Sequence, residues 1–399
     1  MIENRKNAVL LTLGGLAALA PFSIDMYLPG FPQIANTLHT DIAHVSFSLT
    51  SYFIGISFGQ LVYGPITDKF GRRKPLMIGL LIFIIAALGC ALSTSVSWLV
   101  AMRVILAFGG CAGMVTGTAA VRDIFPKSEV AKIFSILMLI LGLGPVIAPT
   151  LGGAILTISN WHFIFYFLAF FGLLLLIMIN RFLPEFEKLK NPKRLTFVNV
   201  FRDYQYVIRE NNFLFFALAS STAVAAMFAY ISSSPFVFIK YFKFSELQYS
   251  FIFAFNALGF IAGSQWNRRL IKQFDSLNII YCAGALLLAV PISGLILLNA
   301  GILNPPITIA LIFILLFSIG LLIPNCTAMA LSGFTVNAGV ASALVGSFQM
   351  ILSAISSWFV SYLFDGTVWP MVIGLLVPAA ICALVLLGLK LKNKKVLLA

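Results

Sequence analysis

The feature that most constrains this chain is a series of long apolar runs, each with the roughly 20 residues that a helix needs to cross a bilayer core. The runs are continuous and do not alternate polar with apolar residues, which favours helices over a transmembrane barrel. With 60% hydrophobic residues over 399 positions, too little polar material remains for a soluble surface. Twelve runs are counted, at residues 8–30, 45–66, 75–95, 97–119, 132–156, 162–183, 213–238, 247–267, 277–299, 306–329, 340–363 and 369–390. The predicted fold class is all-α integral membrane, with twelve transmembrane helices.

Lysine and arginine are divided unevenly between the connections. Of 26 Lys and Arg residues, Arg103 lies deep inside a run and Lys240 and Lys243 follow the seventh run. The others lie at the termini or in connections after even-numbered runs. The chain is expected to be a multi-pass protein of a bacterial inner membrane. Since such residues collect on the cytoplasmic side, both of its termini are expected in the cytoplasm. The net charge of +13 is then expected to face anionic lipids and not nucleic acid.

The longest connection, residues 184–212, follows the sixth run. It is basic and carries apolar residues at near-helical spacing, which predicts a short amphipathic helix lying on the inner headgroups. It separates an N-terminal six-helix bundle at 1–183 from a C-terminal six-helix bundle at 213–399. We expect the two bundles to be pseudo-symmetric.

No residue cluster indicates a metal or a cofactor. The five cysteines lie in apolar runs without a Cys-x-x-Cys spacing, and His39, His44 and His162 do not cluster. No nucleotide-binding loop or zinc-protease motif is present in the sequence. These observations disfavour an enzyme.

Asp25 stands alone among apolar residues late in the first run. An ionised carboxylate at that depth costs about 3 kcal/mol by insertion scales, so it must face a cavity, be paired or be protonated. Because burial favours the neutral form of a carboxyl group, Asp25 is a candidate proton carrier. The alternative is an interfacial Asp at the outer end of the helix.

Arg103 is the second charged residue at membrane depth. It lies about six residues inside the outer end of the fourth run and Asp25 about five inside that of the first, so their depths are comparable at about 1.5 Å per residue. A buried arginine is expected to need a carboxylate or an anionic substrate. The alternative is an arginine that reaches the outer headgroups.

The connection after the second run is a dense cluster of charge at residues 64–74. Its pattern, Gly-x-x-x-Asp-x-x-Gly-Arg-Arg, resembles the loop signature of the major facilitator superfamily of transporters. The matching residues here are Gly64, Asp68, Gly71, Arg72 and Arg73. The resemblance implies the major facilitator fold, with two pseudo-symmetric six-helix bundles.

In this resemblance the loop is a conformational gate and not a substrate site. Arg72 is expected to pair with Asp123 at the inner end of the fourth run. Asp68 is expected near the N-terminal end of the eleventh span, where the helix dipole favours an anion. Arg103 is similar to the family's arginine of the fourth span, which is associated with proton coupling. Leu106-Ala107 stands where that pattern usually continues with Gln-Gly.

The fifth run is rich in glycine and proline between residues 142 and 153. Proline removes backbone hydrogen bonds and glycine removes side-chain bulk, so the helix should bend and pack closely on a neighbour. The stretch also resembles the motif that marks the antiporter branch of the superfamily, with wider spacing than usual. The residues that carry it are Gly144, Pro145, Pro149, Gly152 and Gly153.

Four stretches narrow the resemblance to the Bcr/CflA drug-resistance subfamily along nearly the whole chain. They are residues 23–29, 229–237, 324–330 and 339–349. The subfamily implies proton-coupled export of small drugs such as bicyclomycin, chloramphenicol or sulfonamides.

Several aromatic and small polar residues in the runs are candidates to line a substrate cavity for amphiphilic, mostly neutral compounds. Each one alone is more typical of a hydrogen bond between helices than of a substrate contact. The candidates are Tyr27, Tyr52, Gln60, Tyr230, Ser233, Asn256, Asn325 and Gln349.

The function expected from the sequence is antiport of drugs against protons by alternating access. The chain is expected to act as a monomer, with a proton gradient and no bound cofactor. One alternative keeps the fold and changes the direction, giving a sugar or metabolite symporter or facilitator; the fifth run argues against it. The other, less favoured, is a membrane-embedded enzyme.

Overall fold

The computed structural model describes residues 6–183, 197–334 and 337–398. All regular structure in these ranges is helical. Twelve helical segments are long and apolar enough to cross a membrane, and each coincides with one of the predicted runs. The predicted fold class is therefore confirmed. The chain divides into two compact units, Met1–Phe201 and Arg202–Ala399.

The first span is not one continuous helix. Helix α1 (Lys6–Asp25) is followed by a 3-10 turn at Leu28–Gly30 and by the short helix α2 (Phe31–Thr37). A proline stands in the first turn of each of the last two elements. Proline has no N–H to continue the hydrogen-bond ladder, so α1 ends where the ladder stops. The single run predicted at 8–30 is thus broken just after Asp25.

Three of the other five helices of the first unit are longer than their apolar runs, because their polar ends continue beyond them; the remaining two, Arg73–Ala91 and His162–Phe182, are slightly shorter than theirs. They are α3 (Ile42–Phe70), α4 (Arg73–Ala91), α5 (Val96–Ile124), α6 (Lys127–Ile158) and α7 (His162–Phe182). Side-chain caps at Asp41 and Ser95 accept backbone N–H groups of the first turns of α3 and α5.

The second unit begins within helix α8 (Phe197–Ile208), which falls in the stretch predicted to be amphipathic. Residues 184–196 of that stretch lie outside the described ranges. The spans that follow are α9 (Asn211–Pro235), extended by a π-helical segment at Phe236–Tyr241, α10 (Glu246–Leu270), α11 (Ser276–Asn299), α12 (Pro305–Leu331), α13 (Ala338–Tyr362) and α14 (Trp369–Leu398).

The helices of the two units pair in the same pattern. In the first unit, α3 packs against α5, α4 against α5 and α7, and α1 against α5, α6 and α7. In the second, α10 packs against α12, α11 against α12 and α14, and α9 against α12, α13 and α14. Counted as spans, each pair of the second unit is a pair of the first shifted by six. The predicted pseudo-symmetry is therefore present in the packing.

Glycines produce the closest approaches in corresponding helix pairs. A Cβ at Gly55 of α3 would lie 2.5 Å from the carbonyl oxygen of Val104 on α5. A Cβ at Gly259 of α10 would lie 2.5 Å from the carbonyl oxygen of Phe313 on α12. Small residues let the backbones of membrane helices touch, which is how such helices gain packing energy without a hydrophobic effect between them.

Candidate functional site

Arg103 lies on α5 in the interior of the first unit, with none of its side chain exposed. Its guanidinium carbon is 4.2 Å from the ring centroid of Tyr27 and 4.3 Å from that of Tyr52. A guanidinium over an aromatic face is attracted by the ring quadrupole, by about 2 kcal/mol when water is excluded. Two rings therefore replace part of the hydration that this cation has lost.

Backbone carbonyls supply the remaining partners of Arg103. Its Nη1 donates to the carbonyl oxygen of Ser23 at 2.8 Å, and its Nε to that of Ser48 at 3.4 Å. Ser23 lies in the last turn of α1, where carbonyls have no N–H of their own helix to accept from. The same end of a helix carries a partial negative charge, which favours a cation. Arg103 thus caps α1 because α1 is broken after Asp25.

This environment corrects one part of an expectation and excludes one alternative. Within the described residues, no ion pair joins Arg103 to a carboxylate, which was one of the two partners expected from the sequence. An anionic substrate as its partner stays a prediction. An arginine bound to carbonyls of α1 and α3 does not extend to the outer headgroups. One nitrogen, Nη2, remains buried without a hydrogen-bond partner.

Asp25 is the last residue of α1 and is only 4% exposed. Its Oδ1 is buried and has no hydrogen-bond partner. It also lies at the end of α1 where the helix dipole disfavours a negative charge. An ionised carboxylate in this place would be buried, with no donor among the described residues at Oδ1. The alternative of an exposed interfacial Asp does not agree with this burial. Arg103, Tyr27 and Tyr52 are called the arginine cluster below.

Tyr27 of the arginine cluster is held in place by contacts of its own. The hydroxyl of Tyr27 lies 3.3 Å from the Oγ of Ser48. The ring of Tyr27 packs on Phe31 at 5.0 Å and on Phe165 at 5.8 Å between centroids. The face that Tyr27 offers to Arg103 is therefore fixed by α2, α3 and α7.

The glycine-rich part of α6 faces the interrupted span. A Cβ at Gly144 would lie 2.5 Å from the Cβ of Pro21, and a Cβ at Gly152 would collide with the backbone carbonyl of Met26. These two contacts flank Asp25 along the chain. Pro145 and Pro149 lie inside α6, and Gly153 is buried beside Gly152. The predicted close packing of this stretch is present, and its neighbour is the break in the first span.

The loop after α3 has the ion pair that the family resemblance implied. Gly71 ends α3 with φ of +79°, a conformation that favours glycine. The Nε of Arg72 forms an ion pair with Oδ2 of Asp123 at the end of α5. Arg73 donates to the carbonyl oxygen of Asn180 at 2.7 Å and to its Oδ1 at 3.0 Å. The loop is thus tied to α5 and α7.

The two remaining residues of the loop motif are Gly64 and Asp68. Gly64 lies inside α3, and a Cβ there would meet nothing within 4 Å. The side chain of Asp68 lies outside the described part of the chain, so its expected place near the eleventh span stays a prediction.

The remaining cavity candidates, all but Gln60, lie in the second unit, where most bond to other side chains. The amide nitrogen of Asn256 donates to the hydroxyl of Tyr230 at 3.1 Å, and that of Asn325 to Oδ1 of Asn267 at 2.6 Å. Other contacts are weaker or within one helix: Gln349 to Ser220 at 3.5 Å, and Ser233 to the carbonyl of Ala229 at 2.7 Å.

The contacts of Asn256, Asn325 and Gln349 match the alternative of hydrogen bonds between helices. Oδ1 of Asn256 is buried without a hydrogen-bond partner. Gln60 is partly exposed on α3. A role of these residues in lining a cavity stays a prediction.

Sequence reasoning missed the part that backbone carbonyls play. The carbonyls of Ser23 and Ser48 bind Arg103, and no side-chain pattern reports a carbonyl. The prolines that follow Asp25 are the one available signal, since they predict that the last carbonyls of the preceding helix are left without donors. Among the described residues, no group of three His, Cys, Asp or Glu could hold a metal ion.

Two units of six spans with the same internal pairing, and a buried acid and a buried arginine near an interrupted helix, are typical of secondary transporters. The family model of the Major Facilitator Superfamily matches residues 13–357. The chain belongs to the Major Facilitator Superfamily. It is a transporter and not an enzyme.

Relatives confirm the resemblance to the drug-resistance branch. The chain is 35% identical over 389 residues to the uncharacterized MFS-type transporter YdgK of Bacillus subtilis (strain 168), covering 96% of this chain and 95% of the relative. It is 30% identical over 368 residues to a bicyclomycin resistance protein homolog of Haemophilus influenzae, covering 91% of each. It is 28% identical over 378 residues to a chloramphenicol resistance protein of Pseudomonas aeruginosa, covering 92% of this chain and 87% of the relative.

Solved structures share the fold at low identity. A bacterial homolog of the human lysosomal transporter Spinster, in an inward-facing and occupied conformation, matches with a TM-score of 0.73 and 14% identity, covering 98% of this chain and 97% of that one. A D-xylose-proton symporter matches with a TM-score of 0.69 and 16% identity, covering 94% and 96%. These likenesses establish the fold and carry no argument about the substrate.

Proposed function

We propose that this protein exports small amphiphilic drugs across a bacterial cytoplasmic membrane in exchange for protons, by alternating access. The observation that carries the proposal is the buried carboxyl group of Asp25, whose Oδ1 has no partner and which lies two residues from the carbonyl that binds Arg103. The relatives named for bicyclomycin and chloramphenicol resistance support drugs as the cargo.

Asp25 binds the proton in this scheme. When its carboxyl group is protonated, the neutral form tolerates the buried, partnerless position at the end of α1. When the proton leaves, the carboxylate must find a cation or water, and Nη2 of Arg103 is a buried donor without a partner. Deprotonation therefore favours a rearrangement of the first span relative to α5, which couples proton release to a change of conformation.

Arg103 keeps its charge throughout the cycle. Two aromatic faces and two carbonyls hold the guanidinium whether or not Asp25 is ionised. It therefore acts as a fixed positive charge. In one conformation its Nη2 pairs with the ionised form of Asp25, and in the other Asp25 is neutral and Nη2 has no partner. No cofactor is needed, since the proton gradient supplies the free energy.

The loop after α3 is the gate in this proposal. The ion pair of Arg72 with Asp123 fastens the loop to α5, and its rupture accompanies opening of the cytoplasmic side. In this proposal both termini lie in the cytoplasm, and the transporting unit is the monomer. The close contact of the α6 glycines with the interrupted span supports antiport over the sugar or metabolite symport also considered.

Transport in inside-out membrane vesicles tests the proposal. An inside-acid gradient is expected to drive accumulation of a drug identified by a susceptibility panel in a strain stripped of its own efflux pumps. Collapse of the gradient with an uncoupler is expected to release it. Accumulation that depends on a gradient of the opposite sign would establish a symporter instead.

A further inference from the structure

The second unit contains a cavity of about 580 Å³ that the transport cycle does not use. It lies between the end of α8 and the turn that follows α12. The lining residues are Arg202, Gln205, Tyr206, Arg209, Glu210, Gly333 and Phe334. We propose that this cavity binds the headgroup of one anionic phospholipid.

The basic residues of the cavity share one face of a helix. Arg202 and Arg209 are seven residues apart, which is two helical turns and about 10 Å. The N–H of Arg209 donates to the carbonyl of Gln205 at 3.1 Å, so the helical turn continues through it. Gln205 lies between the two arginines on the same face. Both arginines line the cavity, and a guanidinium fork suits the oxygens of a phosphodiester.

The one acidic residue of the lining, Glu210, offsets one of the two positive charges. Glu210 caps α9, and its Oε1 accepts from the backbone N–H of Asn212 at 3.4 Å. Two arginines and one glutamate leave the lining with a net charge of +1. The cavity is therefore complementary to a single negative charge such as that of a phosphatidylglycerol headgroup.

The cavity lies at the level where headgroups are found. The seventh candidate span begins at Asn212 and the tenth ends at Leu331, and both border the lining. Phe334 packs edge-on against Phe213 at 5.6 Å between centroids, and Val207 of α8 is fully buried. These contacts hold the wall of the cavity against the spans. Tyr206 is 64% exposed and can contact an acyl chain or the glycerol of a lipid.

A phosphate group could come from a lipid or from a soluble anion, and the arrangement favours the lipid. Two basic residues beside a membrane surface attract anionic lipid by about 1 kcal/mol each, a factor of about five in affinity. An open mouth lined by Tyr206 and Phe334 offers apolar surface that inorganic phosphate does not use.

Lipid titration followed by native mass spectrometry of the purified full chain tests the site. Dioctanoyl-phosphatidylglycerol, dioctanoyl-phosphatidylcholine and inorganic phosphate are the three probes. We expect phosphatidylglycerol to occupy a first site about 25-fold more tightly than phosphatidylcholine, because two arginines each contribute a factor of about five. We expect Arg209→Gln to remove a factor of about five and Arg209→Lys to retain most of it.

A steric variant tests the cavity independently of its charge. A Cβ at Gly333 would meet nothing within 4 Å, so Gly333→Leu should fold and partly fill the cavity. Gly339→Leu is its matched control, because a Cβ there also meets nothing within 4 Å. Lys272→Gln removes a charge elsewhere and controls for Arg209→Gln.

The expected result is weaker phosphatidylglycerol binding in Arg209→Gln and Gly333→Leu, with both controls equal to the unmodified chain. Size-exclusion profiles identify any variant that misfolds, and Arg202→Gln then replaces it. Equal binding of the two lipids would overturn the proposal. So would inorganic phosphate that displaces phosphatidylglycerol at equal concentration, or variants that bind like their controls.

Discussion

The backbone of Met26 rests on Gly152, so closely that no side chain fits between them. Met26 is the first residue after α1 ends, and Gly152 is part of the glycine-rich stretch of α6. The contact lets the first span break beside the acid it carries. The break in turn leaves the carbonyl of Ser23 to Arg103. Gly152 is therefore linked to the position of Arg103 through the break in the first span.

Gly152→Ala should disturb this contact. Its Cβ would overlap the carbonyl of Met26, and overpacking of this kind costs about 1–3 kcal/mol. We expect a lower melting temperature in detergent and at least about ten-fold weaker transport. Gly117→Ala is the control, because its Cβ would meet only Leu16, at 3.9 Å. Equal behaviour of the two variants would contradict the role assigned to the contact.

Asp25→Asn tests the proton site. The amide is nearly isosteric with the neutral carboxyl group, so membrane insertion and melting temperature should be unchanged or slightly improved. Uphill export driven by a pH gradient should be lost, while drug exchange between equal concentrations on both sides should persist. Both rates can be measured in proteoliposomes with a radiolabelled drug. Uphill export that survives in this variant would remove Asp25 from proton coupling.

Arg103→Lys tests whether the guanidinium is needed or only its charge. An ammonium cannot stack on the rings of Tyr27 and Tyr52 and reach the carbonyls of Ser23 and Ser48 together. Losing either the ring stacking or the carbonyl hydrogen bonds costs about 2 kcal/mol. We therefore expect a lower melting temperature and transport reduced by about ten-fold or more. Tyr52→Phe keeps the ring and should retain most activity. Full activity of Arg103→Lys would show that charge alone suffices.

Exchange of the charges of Arg72 and Asp123 tests the gate. Arg72→Asp and Asp123→Arg each place two like charges together and should reduce the transport rate by about ten-fold, because the latched conformation is destabilised. The double variant restores an opposite-charge pair and should recover part of the rate. The set of exported drugs should not change, as measured by susceptibility. A double variant as slow as both single ones would argue against the ion pair as a latch.

The extent of the spans and their number were predictable because twenty apolar residues in a row have few alternatives to a membrane helix. The ion pair of Arg72 with Asp123 followed from the family resemblance of the loop. The partners of Arg103 did not follow, because two of them are backbone carbonyls and the other two are tyrosines distant in sequence. The run at 8–30 gave no sign of its interruption in hydropathy alone, since Leu28 and Phe31 keep it apolar through the break. The prolines carry that information.

The two units share one pattern of helix pairing, but the buried side chains of their interiors differ in chemistry. In the described part of the second unit, every buried polar side chain is a hydroxyl or an amide, and none carries a formal charge. Among the described residues, the buried acid and the buried arginine both lie in the first unit. Under the proposed function, the first unit handles the proton, and the second unit is the neutral half of the transporter. Resistance variants that widen the range of cargo should accumulate in the neutral half, whereas variants that uncouple export should accumulate in the other.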